Sequence, residues 1–274
     1  MSGVLILVAT PIGNLGDLSP RATEALASAD LVCCEDTRRT GALLKHAGIR
    51  AVELKRVDDH TEFETIPAVL DRLAAGERIV LVSDAGTPGI SDPGERLVAA
   101  AIAAQHEVTT VPGPVAAISA LVASGLPTGR FVFEGFLARK GRLRDDQIDA
   151  IASERRTVVL YESPKRVAAT LDMLAERCGA DRRAVVAREL TKLHEELQRG
   201  TLAELAQWAR RGMKGEVVVV IEGASGPGEL DDAEITARLA VALSHGASRR
   251  EAVDAVVAET GARKRRVYDL ALGL

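Results

Sequence analysis

Ile79-Val80-Leu81-Val82-Ser83-Asp84-Ala85-Gly86-Thr87-Pro88-Gly89-Ile90-Ser91-Asp92-Pro93-Gly94 is the stretch on which the fold reading turns. Four consecutive apolar residues read as a short strand covered on both faces, as in a parallel sheet. The loop after them holds more Gly, Pro, Asp and Ser than a turn needs. Such a loop offers backbone donors and carboxylates to a polar ligand. A plainer role, an N-cap from Ser91 or Asp92 for the next helix, is compatible with it. Outward from here the pattern repeats. Upstream, Ile66, Val69, Leu70 and Leu73 make an amphipathic helix face that stops near Gly76. Further back lie apolar runs at 4–9, 31–34 and 51–54, a helix opened by Ser19-Pro20, and another at 37–46 ended by Gly48. Downstream, 107–111 is a further strand. Alternating strand and helix predicts a mainly parallel sheet with helices on both sides, residues 1–125.

A second α/β domain is expected at 126–222. Strands read at 157–161, 184–187 and 216–221, and helices at 167–177 and 202–211. Gly and Pro in Gly223-Ala224-Ser225-Gly226-Pro227-Gly228 mark a linker, 223–232. The tail, 233–274, is helical. Ser248 with Glu251 forms a capping box, and Gly261 separates it from a last helix, which suggests a helix-turn-helix-like unit.

Composition narrows the class. The chain has 274 residues, 47% hydrophobic and 3% aromatic, so Ala, Val and Leu build the cores. No apolar run approaches the roughly 18 residues of a membrane span. Residues 1–9 lack a basic stretch ahead of the apolar run and are expected to be a strand rather than a secretion signal, which predicts a cytoplasmic protein. Cys33, Cys34 and Cys178 show no zinc spacing and are expected as reduced structural thiols; no metal site is expected. The net charge of −4 gives no global field for nucleic acid, so any RNA contact must be local.

Three more segments share the expected rim of the first sheet. Thr10-Pro11-Ile12-Gly13-Asn14-Leu15-Gly16-Asp17 follows the first strand, without a GxGxxG or P-loop pattern. Val111-Pro112-Gly113-Pro114-Val115-Ala116 runs from a strand into a helix. Glu35-Asp36-Thr37-Arg38-Arg39 places two carboxylates and two guanidinium groups after the second strand, where acids also suit a helix N-terminus. Loops converging on one edge of an open α/β sheet predict a ligand cleft. In the second domain, Arg188-Glu189-Leu190-Thr191-Lys192-Leu193-His194-Glu195-Glu196 follows a strand; it lacks a zincin pair and reads either as a charged loop or as ligand-orienting. Basic clusters occur at Arg139, Lys140, Arg142 and Arg144 and at Arg263, Lys264, Arg265 and Arg266. With Arg38 and Arg39 they are the expected phosphate contacts.

Taken together, the blocks at 9–22, 35–38, 83–94, 112–114, 161–166 (Tyr-Glu-Ser-Pro-Lys-Arg) and 188–196 resemble the tetrapyrrole methylase superfamily. The closest resemblance is to its branch that methylates the 2′-oxygen of a cytidine in 16S ribosomal RNA. The resemblance implies two α/β domains with S-adenosylmethionine in the cleft between them, a helical C-terminal extension and commonly a homodimer. It also implies that Pro11, Gly13 and Asn14 floor the cleft and that Asp84 and Thr87 hold the amino-acid and ribose parts. Pro114, Val115 and Ala116 would pass close to the ligand, and Tyr161 and Leu190 would close it. Ser83-Asp84-Ala85 stands where tetrapyrrole-modifying members usually show Gly-Asp-Pro, which argues against a corrin or porphyrin substrate.

A ribose hydroxyl attacks a sulfonium only when its proton is taken or shared. Glu35, Asp36, Glu189 and Lys192 are the expected groups for that task, Lys192 only if burial lowers its pKa. A methyltransferase acting on a small tetrapyrrole is the alternative within the same fold. A non-catalytic RNA-binding sensor of S-adenosylmethionine is the alternative from another class.

Overall fold

The computed structural model describes residues 3–50, 53–58, 61–224 and 232–274. Met1–Ala152 and Arg156–Glu222 form one compact unit; Ser153–Arg155 and Gly223–Leu274 form another. Both expected α/β sheets lie in the first unit.

Strands β1 (Val4–Val8), β2 (Leu31–Cys34), β3 (Glu53–Arg56), β4 (Arg78–Leu81) and β5 (Glu107–Val111) build an all-parallel sheet in the order β3-β2-β4-β1-β5. Alternate residues take opposite faces. Ile6, Val8, Val32 and Val80 pack under α1 (Pro20–Ala27) and α2 (Thr37–His46). Leu5, Leu31, Ile79 and Leu81 pack under α3 (Glu62–Ala74) and α4 (Glu95–Ala103). With both faces covered, the central strands β1, β2 and β4 read as apolar runs, whereas the edge strands β3 and β5 carry polar, exposed residues. The Ser19 hydroxyl caps α1 and Pro20 opens it, as the sequence predicts. The third strand was expected at 51–54; the described strand is Glu53–Arg56, and residues 51–52 lie outside the described residues.

Helix α5 (Ala116–Ser124) leads to the second sheet, ordered β6 (Phe131–Phe136), β7 (Thr157–Glu162), β10 (Val217–Ile221), β8 (Arg183–Arg188), β9 (Glu196–Thr201). Strands β6 and β7 are parallel, and the remaining pairs are antiparallel. One face, with Val158, Leu160, Val186 and Val219, packs on α6 (Arg142–Ser153), α7 (Val167–Cys178) and α8 (Leu202–Ala209). The other, with Val159, Val185, Val218 and Val220, packs on α5. Sequence patterning missed β6, β9 and α6.

The second unit holds α9 (Asp232–Ser244), α10 (Arg249–Thr260) and α11 (Lys264–Ala271) around Ile235, Leu239, Val253, Val256 and Val267. The capping box of Ser248 and Glu251 is formed, and Gly261 ends α10 at φ 67°. Most of the expected linker, residues 225–231, lies outside the described residues. Cys33 and Cys34 are buried, Cys178 is half-buried, and all three are free thiols. Burial, chiefly, pushes the Cys33 thiol up to about 12, so it stays protonated.

Candidate functional site

The first sheet changes winding direction between its neighbours β1 and β4. After β1 the chain crosses one way through α1; after β4 it crosses the other way through α4, on the opposite face. Loops leaving adjacent strands in opposite directions open a crevice at the carboxyl rim. Here they are tied at their bases. Thr10 N donates to Gly86 O (2.8 Å) and Gly86 N donates to Thr10 O (3.1 Å). Gly86 sits at φ +90°, a conformation that favours glycine.

Further bonds knit the remaining rim loops to this pair. Asp84 N donates to the Glu35 carboxylate (3.0 Å), and Asp36 N donates to the Asp84 carboxylate (3.1 Å). Arg39 pairs with Asp84 at 3.4 Å. Thr87 Oγ1 donates to Pro114 O (3.1 Å). The N-cap of α4 is Gly94, not Ser91 or Asp92, so it has no side chain to offer. Buried Glu62 supplies the missing acceptor, taking Gly94 N (3.1 Å) and Leu97 N (3.0 Å). A carboxylate from α3 thus anchors the end of the loop at 83–94.

The second sheet contributes the facing wall. The Tyr161 phenol oxygen accepts a bond from Ala117 N (3.2 Å) at the start of α5. Burial raises its pKa and keeps it a neutral phenol. Phe133 and Phe136 stack edge-on against its ring, with centroids 4.9 and 5.5 Å away. Beyond β8, Glu189 takes a positive φ of 52°, and its carboxylate accepts from Lys192 Nζ (2.9 Å) and Glu216 N (2.9 Å). Lys192 also reaches the Glu216 carboxylate at 3.0 Å. Asn14 N donates to Thr191 Oγ1 (3.1 Å), and a Cβ on Gly13 would lie 2.5 Å from Lys192 Cγ. The loop after β1 and the loop after β8 therefore touch, which fastens the two sheets at this edge.

Between them lies a cavity of about 370 Å³. Of the residues expected around a cofactor, Asp84, Thr87, Val115, Ala116, Tyr161 and Leu190 line it. Pro11, Gly13, Asn14 and Pro114 are not among its lining residues; Asn14 and Pro114 are tied to Thr191 and Thr87 by the bonds above, and Gly13 lies close against Lys192. Ile12, Gly86, Asp92, Phe136, Glu216 and Val218 line it without having been singled out individually. Glu216 and Val218 carried no signal, because a strand of five apolar residues reads as core.

Of the four expected proton-handling groups, Glu35 alone lines the cavity. Asp36 caps α2 and grips Arg38 (2.8 Å); those bonds, chiefly the side-chain one, hold its carboxyl well below the usual carboxylate range. Burial alone would lower the Lys192 pKa, but the bonds to Glu189 and Glu216 outweigh it and raise it above 10.5. The condition set for Lys192 as a base is thus not met: it is an ammonium tie. The side-chain bond from Lys192, then the one from Glu216 N, hold the Glu189 carboxyl below its ordinary 4.5. A depressed carboxyl contributes stability above its unfolded pKa and loses it as pH falls through the folded one. Glu189→Gln is therefore expected to flatten the loss of thermal stability below pH 4.5, read as Tm against pH. An unchanged acid limb would show that this tie does not contribute.

The expected RNA contacts divide. Arg38 and Arg39 are 89% and 66% exposed, though each is paired with a carboxylate. Arg139, Lys140 and Arg142 are exposed. Arg144 corrects the reading: it is buried, and its guanidinium donates to Arg139 O (3.2 Å) and Thr170 Oγ1 (2.8 Å). Residue 144 falls on the inner face of α6, so its charge serves the interior. In the tail, Arg263 and Arg265 are exposed, Lys264 pairs with Asp254 (2.5 Å), and half-buried Arg266 pairs with Asp232 (2.7 Å).

Residues 4–206 match the family model of tetrapyrrole (corrin/porphyrin) methylases. The chain belongs to the tetrapyrrole methylase family. Within that family it is 46% identical to ribosomal RNA small subunit methyltransferase I of Synechocystis sp., over 99% of this chain and 98% of that protein. It is equally 46% identical to the protein of that name from Mycobacterium tuberculosis, over 99% and 95%. A crystal structure of uroporphyrin-III C-methyltransferase from Thermus thermophilus, complexed with S-adenosylhomocysteine, shares the tetrapyrrole methylase fold. It superposes with a TM-score of 0.55 at 20% identity, covering 79% of this chain and 96% of that one. Among the described residues, no helix is long and apolar enough to cross a membrane, and no cluster of three His, Cys, Asp or Glu is placed to hold a metal ion.

Proposed function

We propose that this chain is an S-adenosylmethionine-dependent methyltransferase that modifies the ribose 2′-hydroxyl of a cytidine in 16S ribosomal RNA, in the bacterial cytoplasm. The observation that carries the donor assignment is the chemistry of the cavity. Glu35, Asp84, Asp92, Glu162 and Glu216 line it against one arginine, Arg39, while Ile12, Val115, Ala187 and Val218 supply apolar surface. S-adenosylmethionine is cationic at sulfur and at its amino group and carries a flat apolar base, so the residues present fit it. Bound there, it supplies an electrophilic methyl group.

The protein's own part is to orient, exclude water and manage one proton. Val115, Ala116, Leu190 and Val218 keep the cavity wall dry. Asp84, fixed by Asp36 N, sets a negative charge beside the rim. Glu35, which alone of the four expected groups lines the cavity while also accepting from Asp84 N, is the carboxylate proposed to share the hydroxyl proton. Arg38, Arg39, Arg139, Lys140, Arg142 and the exposed tail cations remain the proposed phosphate contacts, without Arg144. A homodimer stays part of this reading; light scattering that shows a monomer would remove it.

The test uses labelled S-adenosylmethionine with 30S subunits, followed by mapping of the methylated ribose. Wild-type protein is expected to label one cytidine 2′-oxygen. Glu35→Gln is expected to slow single-turnover transfer roughly 100-fold or more, the usual worth of positioned acid–base help. Label in a tetrapyrrole and none in RNA would overturn the function; a wild-type rate for Glu35→Gln would overturn only the role of Glu35.

A further inference from the structure

A second cavity, of about 290 Å³, adjoins the first behind the Arg39–Asp84 pair. Its walls are Pro11 and Leu15 from the loop after β1 and Ala42 and Leu43 from α2. Arg39 and Asp84 line both cavities. The cavities at α9 and α10, beside Trp208, and at the end of α2 share no lining residue with the first.

We infer that this second cavity receives the target nucleobase, turned out of its stack, so that its ribose lies against the Arg39–Asp84 partition. The inference rests on the RNA methyltransferase reading above. Methyl transfer requires the acceptor site to be contiguous with the donor site, and this chamber meets that condition through the shared Arg39 and Asp84. Its chemistry suits one unstacked base. Pro11, Leu15 and Ala42 offer apolar surface for a π-face, and single-stranded bases are recognised by being splayed onto such surfaces. Arg39, 66% exposed, supplies the cation that complements the phosphate of the same nucleotide. The hydroxyls of Thr10 and Ser83 are already spent on backbone carbonyls and that of Thr40 on Cys34, so reading of the base edge falls to the partition. Leu15, 44% exposed at the mouth, is the contact the unstacked base would cover.

The experiment uses the full-length protein and an RNA hairpin bearing pyrrolocytidine at the methylated position, with S-adenosylhomocysteine present. Wild-type protein is expected to raise the pyrrolocytidine fluorescence as the base unstacks. Ala42→Trp, at an exposed helix position, plugs the chamber and is expected to abolish that rise. It should also slow methyl transfer roughly 5- to 150-fold, the range of one lost base-stacking contact, with donor affinity by calorimetry kept. Leu15→Ala, which only trims the wall, should give a smaller rise and weaker hairpin binding. Wild-type fluorescence and rates in both variants would overturn the chamber's role while leaving the methyltransferase reading intact. A wild-type protein that leaves ribosomal RNA unmethylated would overturn both.

Discussion

Alanine at Asp84 is expected to weaken S-adenosylmethionine binding roughly 10- to 150-fold by calorimetry, because a hydrogen bond to a charged group contributes about 1.5–3 kcal/mol. One carboxylate does three things at once: it faces the cavity, accepts Asp36 N at 3.1 Å, and pairs with Arg39 at 3.4 Å. Asp84→Asn separates these roles, since the amide oxygen still accepts from Asp36 N while the charge is gone. If charge matching to a cationic donor matters, Asp84→Asn loses affinity for S-adenosylmethionine more than for the uncharged-sulfur product S-adenosylhomocysteine. Equal losses for both would make Asp84 a loop fastener only. Wild-type affinity in Asp84→Ala would mean that the donor binds elsewhere.

The largest effect on stability is expected at Glu162, at the end of β7. Its carboxylate is fully buried. It accepts from Ser163 N (2.7 Å) and Thr170 Oγ1 (2.5 Å) and lies 3.3 Å from Arg166 Nε. Thr170 in turn accepts from buried Arg144. Arg166 is 25% exposed and donates also to Leu137 O and Ala138 O. Removing its buried partner carboxylate still leaves that charge uncompensated, with about 3–5 kcal/mol the cost for a fully buried pair. Glu162→Ala is therefore expected to lower Tm by roughly 6–20 °C. Arg166→Met added to Glu162→Ala should recover part of the loss, because the stranded charge is then gone. A Tm within about 2 °C of wild type for the single variant, far below that range, would show that the pair contributes little.

The buried network also shows why reading the sequence failed at particular places. Arg139, Lys140, Arg142 and Arg144 look alike in the chain, and only the pitch of α6 separates the inward Arg144 from exposed neighbours. Strand β9, Glu-Leu-Gln-Arg-Gly-Thr, lies at a sheet edge, where polar residues are tolerated on both faces and leave no periodic signal. Strand β6 has apolar residues enough, but its register shifts between Phe133 and Gly135, which breaks the alternation. The central strands β1, β2 and β4 of the first sheet were legible because burial on both faces demands apolar runs. The caps of α1 and α10 were legible because a side chain bonds a backbone group three residues away.

At the candidate site the same division holds. Six of the ten residues expected around the cofactor line the cavity; four lie in the family blocks, and Val115 and Ala116 directly follow one. Glu62 was invisible as a cap because it lies 32 residues before Gly94, and Glu216 because it stands just ahead of an all-apolar strand that reads as core.

By itself the chain determined the central strands of both sheets, which loops crowd one rim, and which family it joins, since these follow from local periodicity, turn chemistry and short ordered motifs. The folded structure alone decided which carboxylate faces the cavity, which arginine turns inward and which loop closes on which. Those choices depend on bonds between residues tens to hundreds of positions apart, such as Asn14 with Thr191, and no local pattern encodes such partners.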